Sequence, residues 1–99
     1  MQFDWNNSNI QHIARHDVAP EEAEQVIQNE PVDAGVALRN NEERTLHLGE
    51  TNVGRVLFVV ATERMGLIRV VTARPARRSE RDFYLKHKVA TNDQDSQDP

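Results

Sequence analysis

The chain contains no cysteine. That excludes disulfides, a thiolate nucleophile and a cysteine-ligated zinc site, and it fits a reducing compartment. Glycine is scarce, and the four glycines stand apart from one another, so there is no glycine-rich phosphate loop. No apolar run approaches the ~18 residues of a membrane-spanning helix, and no leader-type segment is visible. The expectation is a soluble, cytoplasmic protein. Aromatics are few: Phe3, Trp5, Phe58, Phe83 and Tyr84. With 99 residues the chain makes one small domain, which buries only about 60–65% of its unfolded surface.

Charge is plentiful and segregated. Met1 to Glu50 holds three arginines against ten acids, Thr51 to Ala90 nine basic residues against three acids, and Thr91 to Pro99 three acids alone. The net charge of −4 hides this asymmetry. It implies a basic surface beside an acidic one, of use to a partner or simply solvated.

Hydrophobic patterning sets the expected elements. "MQFDW" alternates at Phe3 and Trp5 and reads as an edge strand. "NNSN" supplies capping residues for a helix from about Ser8 to His16. Pro20, Glu21 and Glu22 suit the first turn of a second helix, which must stop before Pro31. "VDAGVALR" is a weak strand, "NNEE" a turn, and "RTLHLGE" a strand with Leu46 and Leu48 on one side. "TNVG" turns the chain. "RVLFVVAT" is apolar on both faces and belongs in the middle of a sheet. After Gly66 comes "LIRVVTA", ended by Pro75. "ARRSERDFYLKHK" is a C-terminal helix. Residues 1–90 then form one α+β domain, a mainly antiparallel sheet with two N-terminal helices and one C-terminal helix. Residues 91–99, "TNDQDSQDP", lack hydrophobes and read as a disordered acidic tail.

Chemistry is carried by histidines and arginines. In "NIQHIARH", His12 and His16 stand four apart and share a helix face. Ile13 occupies the position that a catalytic glutamate takes in an HExxH site, and no third ligand has a telling spacing, so no metal is expected there. Arg55, Arg64, Arg69, Arg74, Arg77, Arg78 and Arg81 crowd the second half. Antiparallel strands bring some of them together. They either hold a phosphodiester, for which the guanidinium fork is suited, or pair with the glutamates of the first half.

"FDWNNSNIQHIARHDVAPEEAEQV", "EERTLHLGETNVGRVLFVVATER" and "IRVVTARPARRSERDFY" together resemble the BrnT family in order and spacing, over roughly Phe3 to Tyr84. The family often has Asp-Pro-x-x-Lys after the tryptophan; here Asn6, Asn7, Ser8 and Asn9 follow, and that lysine is absent. Ala61 stands where the family often has histidine or an aromatic. The resemblance implies a RelE-like fold and a ribonuclease toxin of a toxin–antitoxin pair, acting without a cofactor to block translation. A BrnA-like ribbon-helix-helix antitoxin would neutralise it, and operator DNA would be bound only through the antitoxin complex. The positions that match are Arg15, His16, Arg44, Arg55, Thr62, Arg64, Arg74, Glu80 and Tyr84. The expected roles, argued from side-chain chemistry beside the resemblance, are these. Arg64 and Arg74 hold the scissile phosphate, His16 transfers a proton, and Glu63, with His47, is a reserve base. Arg15, Arg44, Arg55, Thr62, Arg69, Arg77 and Tyr84 contact RNA. The rival expectation is a non-catalytic nucleic-acid- or protein-binding regulatory module on the same fold.

Overall fold

The computed structural model describes the backbone of residues 1–96 and the side chains of residues 1–88. The elements are α1 (Asn7–Ala14), α2 (Pro20–Gln28), β1 (Val32–Arg39), β2 (Glu42–Glu50), β3 (Val56–Arg64), β4 (Leu67–Pro75) and α3 (Arg78–Ser96). The strands form one antiparallel meander in the order β1-β2-β3-β4. This is the expected α+β architecture, with β3 in the interior of the sheet.

Asparagine starts α1. The Asn6 side chain accepts from the Asn9 N–H at 3.0 Å, and the Asn9 side chain accepts from the Asn6 N–H at 2.8 Å. Two backbone donors that the helix cannot use are thereby satisfied. Asn9 is itself buried, and its amide donates to the carbonyls of Asp4 and Val70. In α2, Pro20 occupies the first turn and the Glu22 carboxylate accepts from the Ala19 N–H at 3.0 Å.

The alternation of each strand feeds two apolar layers. Leu57 and Val59 meet Ile13, Val18, Ala23 and Val26 on the face covered by α1 and α2. Val56 and Phe58 meet Leu48, Tyr84 and Ala76 on the face covered by α3. Gly49 lets α2 approach closely, since a Cβ there would stand 3.0 Å from Pro31 Cβ and 3.1 Å from Val26 Cγ1.

Two tight hairpins lie at the same end of the sheet. Asn40 and Asn41 (φ +51° and +63°) join β1 to β2, and Met65 and Gly66 (φ +53° and +79°) join β3 to β4. Positive φ at both central residues matches the right-handed twist of the strands, and Asn and Gly tolerate it best.

Two expectations need correction, and the weak strand is borne out in full. "MQFDW" makes only an isolated parallel bridge between Phe3 and Ile68, because the cap at Asn6 ends its extended run. "VDAGVALR" is a full strand, held by its pairing with β2. Helix α3 runs past Ala90 to Ser96, since an established helix needs only one further hydrogen bond per added residue. Residues 97–99 of the expected tail lie outside the described residues.

Candidate functional site

Alternation sorts charge onto opposite faces at the hairpin end. The registers place Glu42, Arg44, Thr62, Arg64 and Arg69 on the face that carries Leu48 and Phe58. Their neighbours Leu38, Glu43, Glu63 and Ile68 fall on the other. One face is therefore basic and the other acidic and apolar, although the sequence interleaves them residue by residue.

The basic face opens into a cleft of about 700 Å³. Arg39, Arg44, Arg64 and Arg69 line it, each from a different strand, together with Glu42, Thr72 and, from α1, Ser8, Asn9 and His12. Helix α1 packs against β4, the outer strand, and His12 reaches the cleft past that edge. Its Nε2 lies 3.1 Å from Thr72 Oγ1. A bulge opposite Val60 and Ala61 shifts the register of β4 just before Thr72; bulges re-aim side chains in this way.

Glu42 ties two of the arginines. Arg64 donates through Nε (3.1 Å) and Nη2 (2.6 Å) to Glu42 Oε2, and Arg44 Nε donates to Oε1 at 3.3 Å. The Arg64 guanidinium, followed by that of Arg44, holds the Glu42 carboxyl below its ordinary range. Among the described residues, Arg39 and Arg69 have no such partner.

The remaining residues singled out from the sequence lie elsewhere. His16 does not line the cleft; its ring stands edge-on to that of His12, centroids 5.7 Å apart. The spacing of the two histidines is right, but the end of α1 at Ala14 leaves the second beyond the helix. Arg15 caps α1 and is exposed. Glu63 lies on the acidic face, in a second hollow of about 740 Å³ with Thr45, His47, Ile27 and Ile68. There the Thr45 hydroxyl donates to the Ala61 carbonyl, so the His47 Nε2, 2.9 Å from that oxygen, is the donor. Burial pushes His47 down, against the pull of Asp33.

Arg74 does not join Arg64. It opens its fork on Glu80, at 2.7 and 2.8 Å, with its guanidinium 4.4 Å from the centre of the Phe58 ring. Arg77 sits beside it, its N–H donating to Glu80. Arg55 is at the far end of β3, bonded to Glu22 and to the Asp17 carbonyl. Thr62 is buried and donates to the Glu43 carbonyl. Tyr84 is buried and donates to Glu50, which Lys88 also holds. Trp5 packs on the core and donates to Glu24 at 2.7 Å. Sequence reasoning missed Arg39, Glu42 and the cleft role of His12. The alternation Arg39, Glu42–Arg44, Arg64 and Arg69 around two predicted turns was the available signal.

A family model described as the ribonuclease toxin BrnT of type II toxin–antitoxin systems matches residues 3–80. The chain belongs to that family. A comparison with curated proteins finds no match. BrnT membership makes the chain a ribonuclease toxin with an antitoxin as partner and RNA as target. The match takes in every cleft residue and the Arg74–Glu80 pair, and it stops before Tyr84. Among the described residues no helix is long and apolar enough to cross a membrane, and no three His, Asp or Glu side chains are grouped to hold a metal ion.

Proposed function

We propose that this BrnT chain cleaves RNA in the cleft between α1 and the hairpin end of the sheet, by internal transesterification and without a resident metal. The single observation that carries this reading is the convergence of Arg39, Arg44, Arg64 and Arg69 on one cleft that also holds His12. Guanidiniums bind a phosphodiester and stabilise the charge that grows on its non-bridging oxygens. The 2′-hydroxyl attacks the adjacent phosphorus, and the bond from phosphorus to the 5′-oxygen breaks. The hydroxyl proton passes to a base and the departing 5′-oxygen receives one. The products are a 2′,3′-cyclic phosphate and a free 5′-hydroxyl. His12 takes the proton-transfer role assigned to His16 from the sequence, because an imidazole is suited to that work near neutral pH and His12 is the histidine that lines the cleft.

Cleavage of messenger RNA would block translation in the cytoplasm. A BrnA-like ribbon-helix-helix antitoxin would neutralise the enzyme, and operator DNA would be contacted through that complex. The order of two helices, meander and closing helix supports a RelE-like assignment of the fold.

Induction in a bacterial host lacking the antitoxin tests the reading. Growth should slow and RNA should be cut, and purified protein should cut RNA with chelator present, leaving cyclic-phosphate ends. Folded protein that is non-toxic and cuts no RNA over a wide range of substrates would instead establish a binding module.

A further inference from the structure

Among the described residues that line the cleft, Glu42 is the one acid, and its carboxylate takes up donors that a bound phosphate would use. Arg64 gives it two N–H groups and Arg44 a third. A carboxylate and a phosphodiester oxygen pair offer a guanidinium the same planar, anionic acceptor. The pairing is partly open to water: the side chains of Glu42, Arg44 and Arg64 are 22%, 26% and 55% exposed. Ion pairs of that exposure are weak enough to exchange. Glu42 also follows directly on the Asn40–Asn41 turn.

We infer that Glu42 is an internal stand-in for the RNA phosphate: it holds Arg64 and Arg44 aligned in the cleft and is displaced when a phosphodiester binds. This rests on the cleft being the RNA site. Glu42 is then a positioning residue and an electrostatic gate. It keeps two guanidiniums from splaying into solvent, and it sets a threshold that an isolated phosphate or a weakly held anion does not cross, while a strand that also engages Arg39 and Arg69 does. The Arg64 side chain exchanges one anion for another without its charge ever standing unpaired.

Binding of a 2′-O-methyl oligoribonucleotide, whose capped nucleophile prevents cleavage, separates this role from catalysis. Fluorescence anisotropy would compare the wild type with Glu42→Gln and with Glu43→Gln, which removes the same charge one residue away on the opposite face. Glu42→Gln should bind about two- to fivefold tighter, the range that ion pairs of this exposure are worth. Glu43→Gln should change affinity less than about twofold, since its charge lies across the sheet. Thermal unfolding checks that each variant is folded, and Glu42→Ser serves should the glutamine fail to fold. Unchanged or weaker binding by folded Glu42 variants overturns the inference while leaving the cleft as the RNA site. So does equal tightening by Glu43→Gln. A loss of about 10²-fold or more in cleavage with affinity unchanged also overturns it, since that is the signature of a general base. If neither wild type nor variants bind the oligonucleotide, the RNA reading of the cleft fails, and the inference with it.

Discussion

Arg64 and Arg74 look alike in the sequence, and the structure separates their consequences. Arg74→Ala should destabilise the protein and leave the cleft chemistry largely intact. The Arg74 and Glu80 side chains are each 21% exposed, and two short hydrogen bonds join them. A bidentate pair at that depth falls between the ~0.2–1 kcal/mol of an exposed ion pair and the ~3–5 kcal/mol lost when a buried one is broken. We take roughly 1–2 kcal/mol. The guanidinium over Phe58 adds about 0.5–1 kcal/mol. Together these come to about 2 kcal/mol, and a domain of this size loses ~4–8 °C of midpoint per kcal/mol. The expected fall is thus about 8–16 °C, read by circular dichroism. A double-mutant cycle with Glu80→Gln should return most of the pair's share as coupling. Cleavage assayed well below the lowered midpoint should stay within about threefold of wild type, since truncating a side chain that does not line the cleft removes no donor to the phosphate. Arg64→Ala should do the reverse. Its side chain is 55% exposed and its partner Glu42 keeps Arg44, so the midpoint should barely move. Activity should drop ~10²–10³-fold, the usual loss for one fixed donor at a charged transition state. An Arg74→Ala protein with an unshifted midpoint and cleavage reduced 100-fold would refute this reasoning and return Arg74 to the scissile phosphate.

Further outcomes follow from other contacts. His12→Ala should lower the cleavage rate by about 10²–10⁴ with substrate affinity little changed, while His16→Ala should cost much less; single-turnover kinetics on both variants will tell. Burial, with the bond to Glu50, pushes the Tyr84 phenol up to about 12. A raised folded pKa means stability is complete below the ordinary tyrosine value of 10.0 and lost as pH rises from there towards 12. Tyr84→Phe should flatten that alkaline slope in denaturant titrations. At the acid end, Glu22, Glu42, Glu50 and Glu80 are all held below the ordinary carboxyl value of 4.5. Their stabilisation is present above that pH and should drain away as pH falls below it, which acid titration of the midpoint will show. Gly49→Ala should cost ~1–3 kcal/mol by pressing a methyl into Pro31 and Val26, measured by urea unfolding.

Local chemistry determined a good deal of this protein in advance. The cap at Asn6, the proline at the head of α2, the doubly apolar run of β3 and the asparagine and glycine turns act over a few residues, so the sequence shows them directly. Family membership was legible too, because motif order needs no coordinates. What the sequence could not carry were relations set by register and by where an element stops. "MQFDW" alternates like a strand, yet the capped helix behind it leaves room for one bridge only. "VDAGVALR" has weak strand character and became β1 because β2 offered it a partner. The same holds for the site. Single-residue alternation sends Glu63 to one face and Arg64 to the other, and α1 ends two residues short of His16, so His12 is the histidine that reaches the cleft. Arg74 went to Glu80, because the turn from β4 into α3 folds that carboxylate back onto it. Residue types and their periodicity thus fixed which side chains the molecule could use. Pairing register, helix ends and the carboxylate on which each guanidinium settles depend on contacts beyond the local sequence, and only the tertiary structure decided them.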